Sequence, residues 1–139
     1  MNKWDSRYLG LTLHVAQWSK DPSTQVGAVI VDEKNRVVSL GFNGLPRAVR
    51  DKPMSRERKL LSTIHAEENA LLFANKDVDG MTCYVSHPPC SRCAAKLIQA
   101  GIKRVVWLTP SQDFAERWAT DMAVAQELYA EAGVLAEER

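Results

Sequence analysis

Two short runs constrain this chain more than anything else in it. One is Thr63-Ile64-His65-Ala66-Glu67-Glu68-Asn69-Ala70; the other is Ser86-His87-Pro88-Pro89-Cys90-Ser91-Arg92-Cys93-Ala94. A zinc ion that takes part in chemistry is held by three protein donors of nitrogen or thiolate type and keeps a fourth position open. His65, Cys90 and Cys93 form such a set. Two sulfurs spaced Cys-x-x-Cys reach one ion where a turn opens into a helix. The free N–H groups and dipole of a helix start also favour the thiolate form. Both runs read as places where strand or loop gives way to helix, so the fold must bring two helix starts together on one ion. Such a site makes a hydroxide-like nucleophile available near neutral pH. Glu67 stands two residues after His65, beside the ion but free to carry protons.

Other readings of the same residues compete. A Cys-x-x-Cys can be half of a structural zinc site, which needs a fourth protein ligand. The remaining Cys and His residues are Cys83, His14 and His87. Cys83 lies in an apolar strand run and His14 in a helix pattern, which leaves His87 as the fourth ligand on that reading. A redox Cys-x-x-Cys leaves the His65-Ala66-Glu67 run unexplained. The catalytic-zinc reading accounts for the joint pattern and its order.

The 139 residues, 45% of them hydrophobic, suffice for one domain spanning 1–139 with a substantial core. A net charge of +1 argues against a nucleic-acid binder, which usually carries a basic face. A small anionic substrate needs only a few local cations. Two of the 3 cysteines are claimed by the metal, which argues against a disulfide scaffold and for a reducing compartment. The run Met1-Asn2-Lys3-Trp4-Asp5-Ser6 has no signal-peptide character, and no apolar run is long enough to span a bilayer. A cytoplasmic location and no membrane partner are expected.

Along the chain, Trp4, Tyr8, Leu11, Val15 and Trp18 recur at helical steps, predicting an amphipathic helix over 3–19 with its aromatics in the core. Pro22 stops it. Strands are expected over 25–31 and 36–42, joined by a hairpin loop at Asp32-Glu33-Lys34-Asn35. Gly27 reads either as a close approach of another backbone or as a bulge. Gly41-Phe42-Asn43-Gly44-Leu45-Pro46 is loop; Asn43 there reads as turn chemistry or as a ligand contact. The charged stretch 47–59 reads as a solvated loop with a short helix, or as the source of one or two cations for a phosphate. A helix over 60–74 carries His65 and Glu67 near its start, with Leu71, Leu72 and Phe73 behind. A strand follows over 80–86, a helix over 90–99 capped by Gly101, and a strand over 103–109. Phe114, Trp118, Met122, Ala125 and Tyr129 mark one more helix, and 134–136 a last short strand. Helices alternating with strands after the hairpin predict an α/β sandwich with a mostly parallel sheet.

The His-x-Glu…Pro-Cys-x-x-Cys order is the known signature of the zinc nucleobase deaminases. With it stand Ser19-Lys20-Asp21-Pro22-Ser23-Thr24-Gln25-Val26-Gly27-Ala28 and Gly41-Phe42-Asn43-Gly44-Leu45-Pro46. Together, from about Leu11 to Thr109, the chain resembles the cytidine deaminase superfamily and, within it, the deoxycytidylate deaminases. The resemblance implies a three-layer α/β/α fold with a five-stranded mixed sheet of order 2-1-3-4-5. It implies hydrolysis of dCMP to dUMP and ammonia, supplying dUMP for dTMP synthesis. His65, Cys90 and Cys93 would hold one catalytic Zn2+, and Glu67 would be the general acid and base. Asn43 would contact the nucleotide, and the Ser86 carbonyl would lie near the leaving amine. The Lys20–Thr24 loop, with Lys20, Ser23 and Thr24, and Arg47 or a neighbour would lie near the 5′-phosphate. Val26, Ala66 and His87 complete the expected substrate contacts. Phe42 stands where many members have Tyr. Residues 45–64 lack the Cys and His of a second zinc, so a single ion is expected. The family's homo-hexamer, and its regulation by dCTP and dTTP with Mg2+, are open expectations. Other readings are a tRNA adenosine or free-cytosine deaminase, and a zinc-stabilised binding module without chemistry.

Overall fold

In the computed structural model, which describes residues 2–139, the elements follow in the order α1 (Lys3–Ala16), β1 (Gly27–Val31), β2 (Val37–Phe42), α2 (Arg56–Ser62), α3 (Ala66–Phe73), β3 (Thr82–Val85), α4 (Ser91–Gln99), β4 (Arg104–Trp107), α5 (Gln112–Arg117), α6 (Ala119–Ala132) and β5 (Leu135–Glu138). The strands form one mixed sheet of order β2-β1-β3-β4-β5. β1 runs antiparallel to both β2 and β3, whereas β3, β4 and β5 are parallel. The sheet is therefore evenly mixed rather than mostly parallel, because the first hairpin puts β1 between two strands that oppose it.

Alternation along the strands divides the core. Ala28, Ile30, Cys83, Val85, Val105 and Trp107 face the side covered by α3, α4 and α6, where Ala66, Ala70, Ala94, Leu97, Ala125 and Tyr129 pack on them. Val29, Val31, Tyr84 and Val106 point the other way, onto Tyr8 and Leu9 of α1. This period-two division is what a strand buried on both faces requires, and every residue of β1 is buried. The result is the three-layer α/β/α sandwich.

Four local expectations change. α1 ends at Ala16, and Trp18 is about half exposed, beyond the helix and outside the core. Residues 60–74 are not one helix. α2 ends at Ser62, and Ile64 then pairs with Gly44 in an isolated bridge before α3 begins. Leu72 and Phe73 are exposed. Trp118 likewise breaks the last helix into α5 and α6.

Two glycines set the spacing of the layers. A Cβ on Gly27 would lie 2.1 Å from the Thr12 carbonyl oxygen, and one on Gly41 2.3 Å from that of Ala66. α1 thus lies directly against β1, which decides the Gly27 reading for close approach; the register shift in that ladder falls at Ile30/Val31 instead. Gly41 does the same for α3, bringing the helix that starts after His65 onto β2.

Candidate metal centre and cavity

His65 is the N-cap of α3 and Cys90 the N-cap of α4, so the two helix starts meet as the runs demand. Their arrival is built locally. The Gly44 N–H donates to the Ile64 carbonyl at 3.0 Å, and the Ile64 N–H to the Gly44 carbonyl at 2.8 Å, which fixes the residue before His65. The Glu68 carboxylate accepts from the His65 backbone N–H at 2.9 Å, satisfying one orphan donor of the helix start, and it also pairs with Lys96 of α4. Glu68 therefore ties the two ligand-bearing helices together.

Donor atoms of His65, Cys90 and Cys93 lie within 4.8 Å of one another. His65 Nδ1 is 3.2 Å from Cys93 Sγ and 3.6 Å from Cys90 Sγ. One imidazole nitrogen and two sulfurs, converging with no fourth His, Cys or carboxylate donor among the described residues, match the donor set of a catalytic zinc site that keeps a position open. His87 is not among the converging donors; its ring lies beside Phe114, 5.6 Å between centroids, and its Nδ1 is 3.3 Å from Ser86 Oγ. The four-ligand structural site is therefore not what these residues form. A thiol hydrogen bond from Cys93, with His65 beside it, lowers the Cys90 thiol to about 4, so thiolate is available to a cation.

Glu67 sits in the first turn of α3, 4% exposed. Burial pushes its carboxyl up to about 7, the range in which a carboxyl can both give and take a proton near neutral pH. It lines a cavity of about 270 Å3 together with His65, Ala66 and Cys90. Ser23, Thr24, Val26, Asn43 and His87 are also in the wall, as expected.

Asn43 does not take the left-handed backbone of the turn reading. Its Oδ1 accepts from the Val26 N–H at 2.9 Å, and its Nδ2 donates to the Thr24 carbonyl at 2.8 Å. It braces the Thr24–Val26 wall while itself facing the cavity. Ser86 does not line the cavity; its hydroxyl accepts from the Gly27 N–H at 3.0 Å, fastening the end of β3 to β1.

Lys20 and Arg47 are absent from the wall. Arg47 is exposed, with its guanidinium over the Phe73 ring at 5.6 Å, and within the 20–24 loop it is Asp21, not Lys20, that reaches the cavity. The cations that do line it are Arg56, Lys59 and Arg117. Two of them belong to the charged stretch and could have been singled out only by knowing that α2 folds back over the site. Arg117 carries no sequence signal. Phe114, Trp118 and Met122, spaced as a core stripe, in fact line the cavity wall.

Comparison with known proteins meets this geometry. Residues 2–109 match the cytidine and deoxycytidylate deaminase zinc-binding region. The chain belongs to the cytidine and deoxycytidylate deaminase family. Among its relatives is an "uncharacterized deaminase in luxG 3′region" of Aliivibrio fischeri, 48% identical over 136 residues covering 96% of this chain and 92% of the relative. The deoxycytidylate deaminase of Mus musculus is 38% identical over 95% of this chain and 77% of its own length. The dCMP deaminase of cyanophage S-TIM5, solved in complex with dCMP and dUMP, superposes with a TM-score of 0.81 at 26% identity, covering 100% of this chain and 99% of that one. As a member of this family the chain is a zinc-type hydrolytic deaminase with the deaminase α/β fold.

Proposed function

We propose that this deaminase hydrolyses dCMP to dUMP and ammonia. The observation that carries the reading is the buried Glu67 carboxyl beside three converging metal donors, in a cavity walled by three cations. The cyanophage enzyme, whose structure holds dCMP and dUMP, supports it.

His65, Cys90 and Cys93 would hold Zn2+. Bound there, the ion supplies the Lewis acidity that makes water a nucleophile near neutral pH. Glu67 accepts a proton from the attacking water and delivers it to the ring nitrogen beside the amino-bearing carbon. That carbon then carries both oxygen and nitrogen. Glu67 then takes the proton of the new hydroxyl and passes it to the amine, which leaves as ammonia while the carbon–oxygen double bond forms. One carboxyl serves both transfers because burial holds its pKa near neutrality. The Ser86 carbonyl remains the expected neighbour of the leaving amine. Asn43, with Ser23, Thr24, Val26, Ala66 and His87, shapes the nucleoside site. The phosphate role passes from Lys20 and Arg47 to Arg56, Lys59 and Arg117, which line the wall.

A site built around an anion rejects a substrate lacking it, because its cations are left unpaired. Ammonia release by the zinc-loaded protein from dCMP, CMP, deoxycytidine and cytosine tests the reading. Preference for dCMP over deoxycytidine of at least about 100-fold in kcat/KM is expected, since each hydrogen bond to a charged group is worth about 1.5–3 kcal/mol and a phosphate between these cations would take two or more. Equal turnover of deoxycytidine removes the phosphate site. Exposed Leu60, Leu61, Leu72 and Phe73 support self-assembly of the chain, for which light scattering is the test; a monomer would end the hexamer reading. Flat activity across added dCTP and dTTP with Mg2+ would end effector control.

A further inference from the structure

The first turn of α4 carries an unusual demand. Its N-cap, Cys90, would ordinarily be a Ser, Thr, Asp or Asn whose side chain satisfies a free N–H of the helix start. Cys90 makes no such cap bond, because its sulfur is turned to His65 and Cys93. The bond comes from another helix. Asp121, in the first turn of α6, accepts the Ser91 N–H on Oδ2 at 2.9 Å and the Ser91 hydroxyl on Oδ1 at 2.6 Å. Both carboxylate oxygens thus close on one residue, and that residue stands between the two cysteines. Bonds to a carboxylate are stronger than neutral ones, and the negative charge suits the helix start. Asp121 has no other hydrogen bond or ion pair among the described residues, although Arg117 lies one turn before it; that guanidinium pairs with Asp113.

We propose that Asp121 is a positioning residue of the metal centre, holding the first turn of α4 and with it the placement of the Cys90 and Cys93 sulfurs. Asp121 lies beyond residues 2–109, the stretch that matches the deaminase zinc-binding region, so this support comes from outside that region. The inference rests on His65, Cys90 and Cys93 being the zinc ligands. Asp121 also lines the cavity with Trp118 and Met122. The helix that walls the substrate space is thereby fastened to the helix that presents the sulfurs.

The test measures zinc affinity by competition with a chromophoric chelator, and the thiolate-to-metal band of the Co2+-substituted protein, at fixed pH. Removing a partner that orients a metal ligand typically costs about 10- to 100-fold in affinity, and that loss, with a shifted Co2+ band, is expected for Asp121→Ala. Asp121→Asn keeps an acceptor for the Ser91 N–H and should recover most of it. Ser91→Ala deletes only the hydroxyl arm, disturbs no helix packing, and should give a smaller loss in the same direction. Glu127→Gln, on the exposed side of α6, should change neither readout. A folded Asp121→Ala with wild-type affinity and an unchanged band overturns the proposal, even if its melting temperature falls. If Asp121→Ala does not fold, wild-type values in Ser91→Ala overturn it. A wild-type protein that fails to bind zinc one-to-one overturns the ligand assignment itself, and the positioning role with it.

Discussion

At the scale of single residues, the proposed chemistry concentrates on Glu67. Its environment separates it from Glu68, one residue on. Glu67 is buried and its carboxyl rises to about 7. Glu68 accepts from the Lys96 ammonium and the His65 N–H, and its carboxyl is held below the ordinary glutamate value despite partial burial. One is poised to exchange protons, and the other stays charged and structural. Glu67→Gln should therefore lower kcat by about 100- to 10,000-fold, the usual range for loss of a general acid–base group, while zinc content by metal analysis stays near one per chain. Near-normal turnover would remove Glu67 from its role. Asn43 shows how little a residue type alone decides. A ligand contact was one reading of the run around it, but its bonds to Val26 and Thr24 were not legible there, since those partners lie 17 and 19 residues away. Asn43→Ala should raise KM and also lower stability, by about 1–3 kcal/mol for the buried groups left unsatisfied. Chemical denaturation alongside kinetics separates the two effects.

At the scale of elements, the site depends on where helices start and how closely they approach the sheet. The helical pattern over 60–74 conceals a break at residues 63–65, where Ile64 leaves the helix to pair with Gly44. Local propensity cannot announce that break, because the bond that stabilises it comes from the loop after β2. The break matters: it makes His65 an N-cap rather than a residue inside a helix. Gly41 and Gly27 are the counterparts on the sheet. A methyl group at Gly27 would have to displace the α1 backbone at Thr12 and Ala16, not a flexible side chain. Gly27→Ala is expected to destabilise by about 1–3 kcal/mol or more, the range for overpacking, seen as a lower denaturation midpoint at unchanged slope. Tolerance of Ala there would mean that α1 can slide.

At the scale of the whole molecule, a polar network around buried Asp5 joins α1 to three strands of the sheet. Asp5 of α1 is 1% exposed. Its carboxylate accepts from Arg104 of β4 through both terminal nitrogens, at 2.8 and 2.7 Å, and from the Tyr84 hydroxyl of β3 at 2.7 Å. Arg104 also reaches Glu137 of β5 at 2.7 Å. The Arg104 hydrogen bonds hold the Asp5 carboxyl below its ordinary value of 3.8, against the opposing effect of burial. A carboxyl depressed on folding contributes stability in full above its unfolded pKa and loses it as pH falls through the folded one. Stability should therefore fall on acidification below about pH 4. Asp5→Asn should flatten that part of the profile, read by denaturation midpoints across pH. Asp5→Ala should cost about 1–3 kcal/mol, because the Tyr84 hydroxyl and the terminal nitrogens of Arg104 lose their acceptor, while Arg104 keeps its bond to Glu137. An unchanged acid profile in Asp5→Asn would assign the acid sensitivity to other carboxyls.

The order of donor residues and the Glu two places after His65 identified the deaminase family from the sequence alone, because a metal's demands on ligand type and spacing are local and few residues meet them. The alternation of strand and helix patterns settled the layered architecture for the same reason: burial period follows backbone geometry. Tertiary structure alone decided which cations face the cavity. Arg47 and Arg56 look alike in the sequence, yet one lies over Phe73 and the other lines the wall. It also decided that Asp121 fastens the cysteine helix, across 30 residues of chain. Such assignments depend on which surfaces meet when α2 lies along the cavity and α6 packs on α4, and a long-range contact leaves no periodic trace at either of its ends.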